Sequence, residues 1–201
     1  MAVTRTGHAM IGFVGIRWIW PVLSEAAHAG VPYAKEALFK VAQQTTYPSY
    51  GYHIGLGYTG VGEYWESTTR TRNHQFQGSI GQWFYEELAG IKPAAAGYSK
   101  ITIQPLPGGQ YGVEHAAASV DTVRGLIRSG WTQAKDGSLK LDVTIPANTT
   151  ATVYVPATAK GKVTEGNRPA HQSTGVRYAG HRLDAEVYEV GSGTYSFRVT
   201  A

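Results

Sequence analysis

The stretch Lys92–Lys100, KPAAAGYSK, is where the sequence changes its period, and that change decides the fold. On its amino-terminal side, Phe76, Ile80, Trp83, Phe84, Leu88 and Ile91 recur at helical spacing, giving one apolar stripe on a helix that Asn73 is placed to cap. Tyr33, Ala37, Leu38, Val41 and Ala42 do the same for a helix starting near Pro32. Residues 10 to 29 are apolar almost all round, the mark of a helix covered on several sides, with Pro21 as a kink or a fresh start. Glycines 51, 55, 57, 60 and 62 leave the segment between these helices irregular.

After residue 97 the period becomes two. Leu139, Leu141, Val143 and Ile145 alternate with polar neighbours, as do Ala151, Val153 and Val155, then Leu183, Ala185 and Val187, then Tyr195, Phe197 and Val199. Asp136-Gly137 supplies a tight hairpin turn and Gly191-Ser192-Gly193 a looser one, so antiparallel pairing is expected. Short strands in this density predict a β-sandwich. The chain is therefore expected to be α+β in two parts, helical over 1–96 and an antiparallel sandwich over 97–201. The helical part has too few elements to cover Trp18, Trp20 and their neighbours, which points to missing structure on its amino-terminal side.

At 201 residues with 42% apolar content, the chain can form real cores. Its net charge of +4 comes from scattered Lys and Arg with no basic run, so neither nucleic acid nor a membrane surface is an expected partner. There is no cysteine, hence no disulfide or thiolate site. MAVTRTGHAM lacks the apolar core of an export signal, which favours a cytoplasmic location over secretion. The most apolar run, MIGFVGIRWIWPVL, is interrupted by Arg17 and Pro21, short of the roughly 20 residues a membrane span needs. Asn148-Thr149-Thr150 fits a glycosylation acceptor only in a glycosylating export route. No internal repeat is visible.

Two chemistries compete within His53–Gln75, HIGLGYTGVGEYWESTTRTRNHQ. Gly55, Gly57 and Gly60 have the spacing of a dinucleotide cradle. That cradle needs a buried strand before it and an acid about 20 residues later, but the upstream TTYPSYGYHI is rich in turn formers and position 80 is Ile. The second chemistry is sugar cleavage, which needs carboxylates beside an oxocarbenium-like transition state and aromatic walls. Glu63, Tyr64, Trp65 and Glu66, followed by Arg70, Arg72, Asn73 and His74, offer those groups. A surface Glu beside a packing Trp is the plain alternative. The other histidines, such as His53, His115 and His171, show no ligand spacing, so no metal or other cofactor is expected. QGSIG is the nearest approach to a serine nucleophile elbow and reads better as the small-residue face of a helix.

The segments GFVGIRWIWPVLSE, TTYPSYGYHIGLG, EYWES, RNHQFQGSIGQWFYEELAGIKP and YSKITIQPLP follow one another in an order and spacing that resembles bacterial α-L-rhamnosidases. Those are large inverting enzymes with an (α/α)6 catalytic barrel followed by a β-sandwich. The resemblance implies that residues 1–96 are the last helices of the barrel, left incomplete, and that 97–201 are the carboxy-terminal sandwich. By the same resemblance, Glu66 matches the general base, His74 the histidine that contacts rhamnose, and Trp65 the aromatic before the base. Glu63 has no clear counterpart and is a candidate only as a further contact. Ser67-Thr68-Thr69 replaces the Arg-Trp-Asp that often follows the base.

The family's general acid lies on upstream segments that match nothing here. An inverting pair stands about 6.5–9.5 Å apart, whereas Glu63 and Glu66 on one helical turn would have roots about 5–6 Å apart. The resemblance therefore implies a truncated or split rhamnosidase carrying the base side of the site, weak or inactive in isolation. Its partners would be a rhamnose-containing glycan and a second chain or copy covering the open helical face. Two rivals remain at this point: a carbohydrate-binding remnant using Trp65, Tyr58, Trp83 and His74, and an assembly module.

Overall fold

A computed structural model describes residues 16–31, 33–68, 71–157 and 162–200. Pro32, Thr69 and Arg70, the side chains of Arg17 and Trp18, and the amino-terminal part of the first family-like segment lie outside the described residues. The chain divides into two compact units, Met1–Trp83 and Phe84–Ala201.

The first unit is helical. Helix α1 spans Ile16–His28 and runs through Pro21; α2 spans Ala34–Gln43; α3 spans Tyr50–Gly55; and α4 spans Ser79–Trp83. Trp20, Leu38, Phe39 and Trp83 are its buried centre. The Trp20 and Trp83 rings lie 5.2 Å apart, and Phe39 meets Trp83 edge-on at 5.8 Å. A buried indole N–H needs an acceptor, and Trp83 Nε1 donates to the buried Ser24 Oγ at 3.1 Å. Trp20, expected to lack partners, is only 1% exposed. The open apolar surface lies instead at Val22, Tyr33, Ile54 and Leu56.

Two helical expectations need correction. Tyr33 is 81% exposed, because it precedes α2 with a left-handed backbone (φ 64°) that turns it off the stripe. The helix expected over 76–91 begins only at Ser79, with turns at 75–78 in place of an Asn73 cap. Its period-3.6 stripe is broken at Phe84–Leu88, where the backbone takes π-helical bonding. The wider turn rotates Phe84 into solvent, and Phe76 is exposed as well.

The second unit is a two-sheet sandwich. Its strands are β1 Ile91–Pro93, β2 Lys100–Ile103, β3 His115–Thr122, β4 Gly125–Gln133, β5 Leu139–Ile145, β6 Thr150–Pro156, β7 Val163–Glu165, β8 Arg168–Pro169, β9 Val176–Arg182, β10 Ala185–Val190 and β11 Gly193–Val199. One sheet has the order β1-β2-β6-β10-β9 and the other β3-β4-β5-β11-β7-β8. Pairing is antiparallel except between β2 and β6, where Lys100 faces Thr150. Ile91, expected at the end of the helical stripe, lies in β1 opposite Ile103. The sheet thus starts before the change of period at 97.

Alternation in β5, β6 and β11 places Leu141, Val143, Val153, Val155 and Phe197 in one core. Trp131 closes one end, its Nε1 donating to the Leu88 carbonyl at 2.7 Å. Gly137, at φ 87°, makes the β4–β5 hairpin turn as its Asp-Gly context predicts. Gly191–Gly193 does something else: β10 and β11 belong to different sheets, so this turn crosses the sandwich instead of closing a hairpin. Leu183 is also corrected. It occupies the β9–β10 turn at φ 53° and is exposed, not an inward strand residue.

Candidate functional site

The residues before Gly55 form α3, not the buried strand a dinucleotide cradle requires. The glycines serve a turn. Gly57 has φ 78°, and a Cβ on Gly60 would come within 2.3 Å of the Arg72 carbonyl oxygen. That close approach lets two strands of chain lie together: Glu63 N–H donates to the Thr71 carbonyl at 3.0 Å and His74 N–H to the Val61 carbonyl at 2.9 Å. The pairing closes the base of an excursion carrying Trp65 and Glu66, and brings the backbone of His74 beside it.

Residues 63–68 are bends and turns, so the geometry of Glu63 and Glu66 on one helical turn does not arise. Trp65 is 9% exposed. Its ring meets Tyr50 edge-on at 5.1 Å and lies 5.2 Å from His53. Glu66, the next residue, is exposed, and Glu63 and His74 are half-buried.

Each of three consecutive residues of the excursion is held by one side chain from 47–58. His53 Nε2 is 3.0 Å from the Trp65 carbonyl oxygen, which fixes that nitrogen as the N–H donor, since a carbonyl only accepts. The Tyr47 hydroxyl reaches Glu66 Oε1 at 3.4 Å, long for a neutral-to-charged bond. The Tyr58 hydroxyl donates to the Ser67 carbonyl at 2.7 Å. Tyr58 also lies under the Arg72 guanidinium, 4.1 Å from the ring centre. Desolvation, then the charge and hydrogen bond of Glu66, raise the Tyr47 phenol above its ordinary value, so it remains a donor at neutral pH.

His53, set aside above as lacking metal-ligand spacing, is a hydrogen-bonded support of the loop, and Tyr47 carried no expectation. The available signal was the aromatic density of TTYPSYGYHIGLGY directly before the acid-bearing loop. Trp83, offered above as a sugar platform, is buried and bonded within the helical core. Among the described residues no cluster of His, Asp and Glu is arranged to hold a metal, and no helix is long and apolar enough to cross a membrane.

Comparison with known proteins gives two family matches. Residues 2–88 match the bacterial alpha-L-rhamnosidase 6 hairpin glycosidase domain, and residues 90–169 match the bacterial alpha-L-rhamnosidase C-terminal domain. An alpha-L-rhamnosidase of Streptomyces avermitilis is 34% identical over 202 residues, covering 96% of this chain and 18% of its own length. One from Formosa agariphila is 33% identical, covering 74% of this chain and 16% of its own length. The crystal structure of the Streptomyces avermitilis enzyme complexed with L-rhamnose superposes with a TM-score of 0.77 at 32% identity, over 94% of this chain and 18% of that one. The alpha-L-rhamnosidase from Dictyoglumus thermophilum gives 0.78 at 30% identity, over 94% of this chain and 21% of that one. The chain thus spans about a fifth of the length of these relatives.

Proposed function

Because the chain belongs to the bacterial α-L-rhamnosidase family, we propose that it supplies the general-base side of a site that hydrolyses terminal α-L-rhamnosyl residues with inversion. The helical unit would be the closing part of an (α/α)6 barrel and the sandwich its carboxy-terminal companion. In this reading Glu66 draws a proton from the attacking water as it adds to the anomeric carbon, and the leaving oxygen takes its proton from an acid on a segment beyond this chain. His74 contacts the bound sugar. Trp65 keeps Glu66 in place through its buried ring, and Glu63 stands beside the base as a further polar contact.

The observation that supports the reading is the hold on the loop: His53, Tyr47 and Tyr58 bond Trp65, Glu66 and Ser67 in turn, more fixing than a surface Glu beside a packed Trp needs. Among the described residues Glu66 accepts a long contact from the Tyr47 hydroxyl, which leaves lone pairs for water. The exposed Val22, Tyr33, Ile54 and Leu56 support the same reading, since they are apolar surface suited to cover by further barrel helices or a second chain.

The test is turnover of a chromogenic α-L-rhamnoside by the protein at its natural length. Glu66→Gln should lower kcat by about 10² to 10⁴, the usual contribution of a positioned base, with the circular dichroism spectrum unchanged. Full activity in that variant would refute the assignment. Saturable rhamnose binding with no turnover in the unsubstituted protein would favour a binding remnant.

A further inference from the structure

A concavity on the sandwich has features of a sugar site and lies on elements that carry none of the residues assigned above to rhamnoside cleavage. At the open edge where β7 and β8 of one sheet meet β9 and β10 of the other is a groove of about 570 Å³, within the usual range for small-molecule sites. Tyr188 and Tyr178 line one side and Val163, Pro169 and His171 the other, with Lys162, Thr164 and Glu186 completing the lining.

The strand register explains how these groups come together. Tyr178 lies opposite Tyr188 and His181 opposite Glu186, with a bulge between Val187 and Tyr188 that keeps both pairs in reach of one another. Tyr188 is buried in the core and stacks on Phe197 at 5.5 Å. Tyr178 is 45% exposed, tilted against Tyr188 with ring centres 5.6 Å apart. The Glu186 carboxylate, mostly buried, is held at both oxygens: the Tyr178 hydroxyl donates to Oε2 at 2.7 Å, and His181 Nδ1 lies 3.1 Å from Oε1.

We propose that this groove is a second, non-catalytic saccharide site that takes one L-rhamnosyl unit. A pyranose has an apolar C–H face and an equatorial belt of hydroxyls, so it needs an aromatic wall beside a fixed acceptor. Tyr178 supplies the wall. Glu186 supplies the acceptor, because an ionised carboxylate has about four lone-pair positions and the two donors already present use only two. Burial, followed by the charge of Glu186, pushes the Tyr188 phenol up to about 12, so the floor of the groove stays neutral. Among the described residues the lining has one Lys against one Glu, not the cation cluster that favours a phosphate or sulfate group. The choice of rhamnose over another sugar rests on the function proposed above; the groove itself does not.

The test is a titration of the 201-residue chain with L-rhamnose, followed by backbone amide shifts. Saturable shifts are expected at 162–164, 171, 178 and 186–188, with a dissociation constant on the order of 1–10 mM. Glu186→Gln should weaken binding about tenfold, the usual result of removing a charged hydrogen-bond partner. Tyr178→Ala should abolish it, and Tyr178→Phe, which keeps the ring and guards against a folding artefact, should weaken it less. Glu66→Gln should leave these shifts in place. Absence of saturation at these positions, or shifts indifferent to both Glu186→Gln and Tyr178→Ala, would overturn the proposal. So would equal binding of D-galactose, or a strand-forming peptide perturbing β9 where rhamnose does not. Shifts confined to Glu66 and His74 would overturn this inference while supporting the proposed function; shifts confined to the groove would support this inference and leave the proposed function to stand or fall by the Glu66→Gln turnover test.

Discussion

In the sandwich, Ile103, Ile127, Leu141, Val153, Val155 and Phe197 are sealed from water, and the exposed Val123 and Leu183 each sit at a hairpin turn. The helical unit also has sealed residues, Leu38 and Phe39, yet it leaves Ile54 71% exposed and Val22 and Leu56 open as well. Scattered exposed apolar residues are normal, so the count alone decides little. The difference lies in closure. Two facing sheets can cover each other's inner faces with their own alternating residues, whereas the four described helices enclose Trp20, Trp65, Trp83 and Tyr50 and leave apolar side chains on their outer surface.

The sharpest challenge to that contrast is Phe197→Ala. It should cost about 3–5 kcal/mol by urea denaturation, the range for a large ring removed from a packed core, while Val22→Ser should stay within about 0.5 kcal/mol. Equal effects would break the comparison. Gly60→Ala comes next, at about 1–3 kcal/mol, because a new methyl must push the Arg72 carbonyl aside; thermal unfolding would measure it, and an unchanged midpoint would show that the two strands of chain do not need to touch. Tyr58→Phe removes the bond to the Ser67 carbonyl and should cost about 1 kcal/mol, with faster amide exchange at 65–68 and none in the sandwich.

A separate test is alkaline. Tyr188 holds its proton more tightly folded than unfolded, so its contribution to stability is complete below pH 10 and is lost as pH rises through about 12. Tyr188→Phe should therefore flatten the decline in unfolding free energy between those values. Parallel curves for the two proteins would assign the loss to other groups.

The strands of the sandwich were readable because alternation is local: Leu139 to Ile145 and Tyr195 to Val199 carry it residue by residue. Which strands pair was not local information. Nothing in Gly191-Ser192-Gly193 distinguishes a hairpin from a crossing between sheets, and only the partners of β10 and β11 decide it. Leu183 fits an alternating run by type, but the turn between β9 and β10 needed its backbone there. In the helical unit the stripe from Phe76 to Ile91 was misleading, because a π turn and a strand interrupted one apparent period. Glu66, Trp65 and His74 could be singled out from sequence by residue type and family resemblance. The residues that hold the excursion could not, because Tyr47, His53 and Tyr58 reach it across sequence separations that no periodicity reports.

Strand β11 is the last in the chain yet lies in the interior of its sheet, hydrogen-bonded to β5 on one side and β7 on the other. During synthesis, therefore, Leu141 and Val143 must wait with one flank unpaired until residues 193–199 have left the ribosome. The tail is the keystone of the arch, and shortening it by a few residues should expose aggregation-prone edges where a trimmed outer strand would do no such harm.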